Sequence, residues 1–95
     1  MAMVLAVVHL RLNVVQAASL KDKRRVVKSF KDRVRASYNV SVAEVGDQDN
    51  WRWCTLAIAM VGSDRRYVES AVGKIVKSAS THRDMLLAES QVEWL

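Results

Sequence analysis

The stretch SLKDKRRVVKSFKDRVRASYNVSVAEVGDQDNW, Ser19 to Trp51, changes period once and so joins two different elements. Leu20, Val26, Val27, Phe30 and Val34 recur at helical spacing and place one apolar stripe along Ser19 to Ala36. Ser19 and Asp22 form an S-x-x-D start signal: the hydroxyl takes an orphan amide of the first turn and the carboxylate reaches back. From Asn39 to Val45 the period becomes two, with Val40 and Val42 on one side and Ser41, Ala43 and Val45 on the other. Gly46-Asp47-Gln48-Asp49-Asn50 is a polar turn, because Asp and Asn bond their own backbone and Gly relaxes it. This reads as helix, strand, turn, and then the start of another strand at Trp51.

The rest of the chain completes the pattern on both sides. Met3 to Leu12 is apolar at first, then alternates at His9 and Arg11, which predicts a strand. Trp51 to Val61 predicts a long strand, with Cys54, Leu56, Ile58 and Met60 on one face. Its other face carries Trp51, Trp53, Thr55, Ala57 and Ala59. Gly62-Ser63-Asp64 ends that strand and starts a helix over Arg65 to Ser80, with Val68, Ala71, Val72, Ile75 and Ala79 inward. Met85 to Leu95 predicts a last strand in which Leu86, Ala88, Val92 and Trp94 share one face.

The order β-α-β-β-α-β predicts an α/β chain of the α+β sandwich kind, the ferredoxin-like fold. Right-handed crossovers put both helices on one face of a four-stranded antiparallel sheet. The expected strand order is fourth, first, third, second. At 95 residues, residues 1–95 are expected to make one domain around one core.

The helix beginning at Ser19 is also where the charge lies. Lys21, Lys23, Arg24, Arg25, Lys28, Lys31, Arg33 and Arg35 face only Asp22 and Asp32, while the whole chain carries a formal +5. The excess is therefore local, and localised basic charge points to an anionic partner. Cations crowd the helix start, an end the macrodipole disfavours for them and favours for a phosphate. Lys21, Lys23, Arg24, Arg25 and Lys28 are the expected phosphate contacts. Lys23 projects from the apolar side of the first turn, where it is expected to emerge past the sheet. Asn39, Ser41 and Glu44 are expected to form a polar edge beside them, and Glu44 is also placed to pair with Lys23.

Other chemistries find little support. Cys54 is the lone cysteine, which excludes an internal disulfide and reads as a small buried hydrophobe. His9 and His82 show no zinc spacing, and the three glycines make no phosphate loop. No metal, no cofactor and no catalytic residue is expected. Met3 to Leu10 lacks the flanks of a signal peptide, and no run approaches a membrane span, so a cytoplasmic protein is expected. The 51% hydrophobic content is high for this size and points to a second buried surface. Trp53, Thr55, Ala57 and Ala59 suit that surface, most simply in a homodimer.

SLKDKR at Ser19 to Arg24 and YNVSVAEVGDQDNW at Tyr38 to Trp51 resemble the YlxP-like family of small bacterial proteins, domain of unknown function 503. The resemblance covers nearly the whole chain and departs at Tyr38, where a Phe is common. It implies a ferredoxin-like fold and an association with translation, since family genes often lie beside those for initiation and ribosome-maturation factors. It implies no activity and no catalytic residues. The expected function is a non-enzymatic, translation- or ribosome-associated module that contacts RNA through the basic helix. One alternative is a dimeric interaction or regulatory module working through its sheet. Another is a small enzyme using Glu44 and Asp49 near Lys23.

Overall fold

A computed structural model describes residues 2–95. Strand β1 (Val4–Asn13), helix α1 (Leu20–Ser37), strands β2 (Val40–Gly46) and β3 (Trp53–Gly62), helix α2 (Arg65–Ser80) and strand β4 (Leu86–Trp94) follow in order. The fold is ferredoxin-like. The strands pair antiparallel in the order β2-β3-β1-β4, as the connectivity predicts.

Alternation decides which sheet face the helices cover. Ala6, Val8, Leu10 and Leu12 of β1 and Cys54, Leu56, Ile58 and Met60 of β3 are buried. They form one core with Val27, Phe30 and Val34 of α1 and Val68, Val72 and Ile75 of α2. Both helices therefore lie on one side, and Leu5, Val7, His9, Arg11, Thr55, Ala57 and Ala59 face the other, partly exposed. A side chain at Gly62 would bring its Cβ within 2.8 Å of a Val68 methyl, so the β3–α2 corner closes tightly only on glycine.

The helix starts form as the side chains dictate. Ser19 Oγ accepts from the Asp22 amide at 3.1 Å, and Asp64 Oδ1 accepts from the Arg66 amide at 2.9 Å. Asp22 reaches back one residue further than a capping box requires, accepting from the Ala18 amide at 3.1 Å.

Two boundaries differ from the sequence reading. Strand β3 begins at Trp53, not Trp51, because Asn50 Oδ1 accepts from both the Arg52 and Trp53 amides at 2.9 Å. That turn keeps Trp51 and Arg52 out of the strand. In β4, pairing with β1 slips between Arg11 and Leu12, so Leu12 faces Leu87 while Arg11 faces Glu89. The slip puts Leu87, not Leu86 and Ala88, on the core side with Val92 and Trp94; Leu86 and Ala88 are exposed. A bulge breaks strict alternation and is invisible to a period-two reading.

Candidate nucleic-acid interface

The first turn of α1 and the β2–β3 loop make one unit, and Lys23 joins them. Lys23 lies on the same helix stripe as Val27, Phe30 and Val34, which directs it inward, and it is 0% exposed. Its ammonium bonds Glu44 Oε2 at 2.9 Å and the carbonyls of Asp47 at 2.8 Å and Trp53 at 3.0 Å. A longer contact of 3.3 Å reaches the Gln48 carbonyl. Three N–H bonds thus satisfy the group fully, with the fourth acceptor sharing one of them. Glu44 is 16% exposed and supplies the countercharge.

This corrects the expected phosphate set: Lys23 has no surface on which a phosphate could sit. A buried ammonium is tolerable only with a carboxylate and carbonyls around it, and the β2–β3 loop supplies both. Glu44 is likewise removed from the expected polar edge. It shares the helix-facing side of β2 with Val42, whereas Asn39 and Ser41 are exposed with the opposite parity. The expected pairing of Lys23 with Glu44 is present.

The loop is tied at nearly every residue. Asp47 adopts a φ of 62°, a left-handed conformation that Asp accepts more readily than most residues. Its carbonyl takes Lys23, while its carboxylate accepts from Thr55 Oγ1 at 3.1 Å and lies 3.7 Å from Arg11 Nε. The Asn50 amide donates to the Asp47 carbonyl at 3.0 Å, and the Val14 amide to the Arg52 carbonyl at 2.6 Å. The loop is therefore anchored to α1, β1 and β3 together, with Asp49, Trp51 and Arg52 exposed.

The remaining expected contacts lie outside, along the flank of α1. Lys21, Arg24, Arg25 and Lys28 are all exposed. Arg25 approaches Asp22 at 3.4 Å and Lys28 bonds Asp32 at 2.7 Å, both in exposed pairs of small worth that open readily. The Lys28 bond, followed by the charges of Lys28, Arg35 and Lys31, holds the Asp32 carboxyl below the ordinary carboxylate range. Arg35 donates to the Val42 carbonyl at 2.9 Å and blunts the β2 edge. Lys21, Arg24, Lys31 and Arg33 make no ion pair among the described residues.

The expected interface set divides in two. Trp53 lies beneath Arg11, whose guanidinium carbon is 4.0 Å from the ring centroid, and Thr55 is bonded to Asp47. Both are occupied within the chain. Ala57 and Ala59 instead face His9 and Val7 across the β1–β3 ladder, near the Leu5–Val61 pair. The apolar part of the open face is thus nearer the other end of the sheet.

Catalytic chemistry is weakly provided. Burial, with the nearby Glu44 charge, pushes the Cys54 thiol up to about 12, so it stays protonated and unreactive at neutral pH. Glu44 is engaged by Lys23, and Asp49 is exposed on the loop. No three His, Cys, Asp or Glu side chains converge among the described residues. A groove of about 450 Å³ between the helices is lined by Ser29, Arg33, Ser78 and His82. Among the described residues, no helix is long and apolar enough to cross a membrane.

Sequence reasoning missed the position of Trp51, which it placed in a strand. The available signal was Asn50, whose short amide side chain turns the backbone after it.

The family model described as "Protein of unknown function (DUF503)" matches residues 5–92. This chain belongs to the DUF503 family. Its similarity to the uncharacterized protein YlxP of Bacillus subtilis (strain 168) is 33% identity over 78 residues, covering 82% of this chain and 85% of that protein. Both motifs that carried the resemblance lie within the DUF503 match, and Lys23 of the first bonds Glu44, Asp47 and Gln48 of the second. Among solved structures, the de novo designed protein Foldit4 superposes with a TM-score of 0.58 at 19% identity, covering 98% of this chain and 96% of that one. That likeness is one of fold alone, and a fold does not determine an activity.

Proposed function

We propose that this DUF503 protein is a non-enzymatic, cytoplasmic, translation- or ribosome-associated module that contacts RNA through the exposed flank of α1. The observation that carries the reading is the row Lys21, Arg24, Lys28 and Lys31, on the flank of α1 beside its buried stripe. From first to last the row spans roughly 15 Å at helical rise, long enough to follow successive phosphates of one strand. The internal use of Lys23 supports the reading. The cation that serves the fold is separated from the cations left on the surface. The translation setting comes from the family resemblance.

Reversing two unpaired cations, Lys21→Glu with Arg24→Glu, should weaken binding to structured RNA at low salt. It should also flatten the dependence of log K on log salt by ~0.7–0.9 for each phosphate no longer neutralised. Thermal stability should hold or rise, because fewer cations then oppose the helix dipole. Filter binding across a salt series, beside a thermal melt, reads both. Unchanged RNA and ribosome association at every salt concentration would falsify the proposal.

A second reading, a homodimer through the sheet, is favoured by the open face. Leu5, Val7, Ala57, Ala59 and Val61 form a contiguous apolar strip there, and Val61 is strongly exposed. Small residues on an open sheet let a second surface approach closely. Ala57→Arg should convert a sedimenting dimer to a folded monomer. A wild-type chain that remains monomeric at ~100 μM, far above the micromolar range of specific weak pairs, would remove this reading.

A further inference from the structure

The three tryptophans occupy different environments. Arg11 covers the Trp53 ring at 4.0 Å, and Arg65 covers the Trp94 ring at 3.8 Å. Trp51 has no arginine over its ring among the described residues and is 55% exposed. It lies on the loop that Lys23, Asn50 and the Val14 amide hold in place. An exposed indole on a fixed loop binds with little ordering entropy left to lose.

The surroundings decide what such an indole would stack against. Lys23 ties the loop to the first turn of α1, so Trp51 shares one end of the molecule with Lys21, Arg24 and Arg25. Its chain neighbours are polar: Gln48, Asp49, Asn50 and Arg52. A protein-docking tryptophan is normally ringed by residues that exclude water; within the loop the residues on either side of Trp51 are polar, and the exposed Val15 and Val45 lie only at its margins. An aromatic face beside a basic track is instead the arrangement that holds single-stranded nucleic acid. Asp49, exposed and without an ion pair among the described residues, repels phosphate from the loop tip and leaves the α1 side as the backbone path.

We propose that Trp51 is a stacking platform for one unpaired base of single-stranded RNA whose phosphates follow the start of α1. The proposal rests on the RNA reading above and specifies its substrate as unpaired rather than duplex RNA. In a duplex the base faces are already stacked on one another.

The test uses the full chain, a labelled oligouridylate and an RNA duplex of equal length, with affinities from fluorescence anisotropy. Trp51→Ala should weaken single-strand binding about 5- to 140-fold, the range for loss of one stacked base. Trp51→Phe should restore most of it. Duplex affinity and the salt slope of single-strand binding should not move, because every phosphate keeps its cation. The residue is exposed, and a thermal melt verifies that each variant is folded. If Trp51→Ala binds the single strand like wild type while Lys21→Glu with Arg24→Glu abolishes binding, stacking is wrong and the RNA reading stands. If the wild-type chain binds neither RNA, both fail.

Discussion

Lys23→Met should destabilise the protein by ~3–5 kcal/mol, the usual result of removing one partner from a buried ion pair. Methionine fills much of the same space, so the loss is chiefly electrostatic. Glu44, only 16% exposed, would keep a charge without its partner, and the carbonyls of Asp47, Gln48 and Trp53 would lose their shared donor. In a domain of this size such a loss lowers the melting temperature by at least ~12 °C. Amide exchange should quicken at Asn50 to Trp53 before it does in β1. Adding Glu44→Gln should recover part of the loss, with a coupling of ~1–3 kcal/mol between the two sites. A Lys23→Met variant within ~1 kcal/mol of wild type in urea would show that the pair does not hold the loop.

Phe30→Ala should cost a similar ~3–5 kcal/mol by a different route. Phe30 is 2% exposed, belongs to the core beneath the helices, and meets the His82 ring edge-on at 6.1 Å. Alanine leaves a cavity between two helices and a sheet that collapse only in part. The effect should centre on the packing of α1 against α2, and the β2–β3 loop should keep its exchange protection because Lys23 is untouched. Phe30→Leu should cost less, in proportion to the volume restored. Chemical denaturation measures all three chains, and a Phe30→Ala loss below ~1.5 kcal/mol would mean that the helices are not locked by this ring.

These two substitutions separate what each motif does. SLKDKR contains both the lysine the fold consumes and the cations it leaves exposed, and Lys23 stands beside Arg24 in the chain. Charge alone does not distinguish them. Helical position does: Lys23 continues the stripe of Val27, Phe30 and Val34, and Arg24 lies about 100° around from it. That angle was legible in the sequence. Glu44 was legible as its partner; that the carbonyls of Asp47, Gln48 and Trp53 would close around the ammonium was not, because they come from a segment more than twenty residues later.

The strand order followed from the element order by comparison with the ferredoxin-like fold; by itself, the order of periods in the sequence determined the six elements and the core stripe. Those depend on residues a few positions apart, where helix and strand geometry repeats. The localised charge of α1, the Ser19 and Asp64 caps and the family motifs were equally local. Tertiary structure alone decided that Lys23 is internal, that the carbonyls of Asp47, Gln48 and Trp53 enclose it, and that Leu87 replaces Leu86 in the core. Each of these was set by a partner distant in sequence or by a one-residue slip between strands. Neither leaves a trace in local periodicity, because a hydrogen bond between segments is chosen by where the whole chain brings its donors and acceptors together.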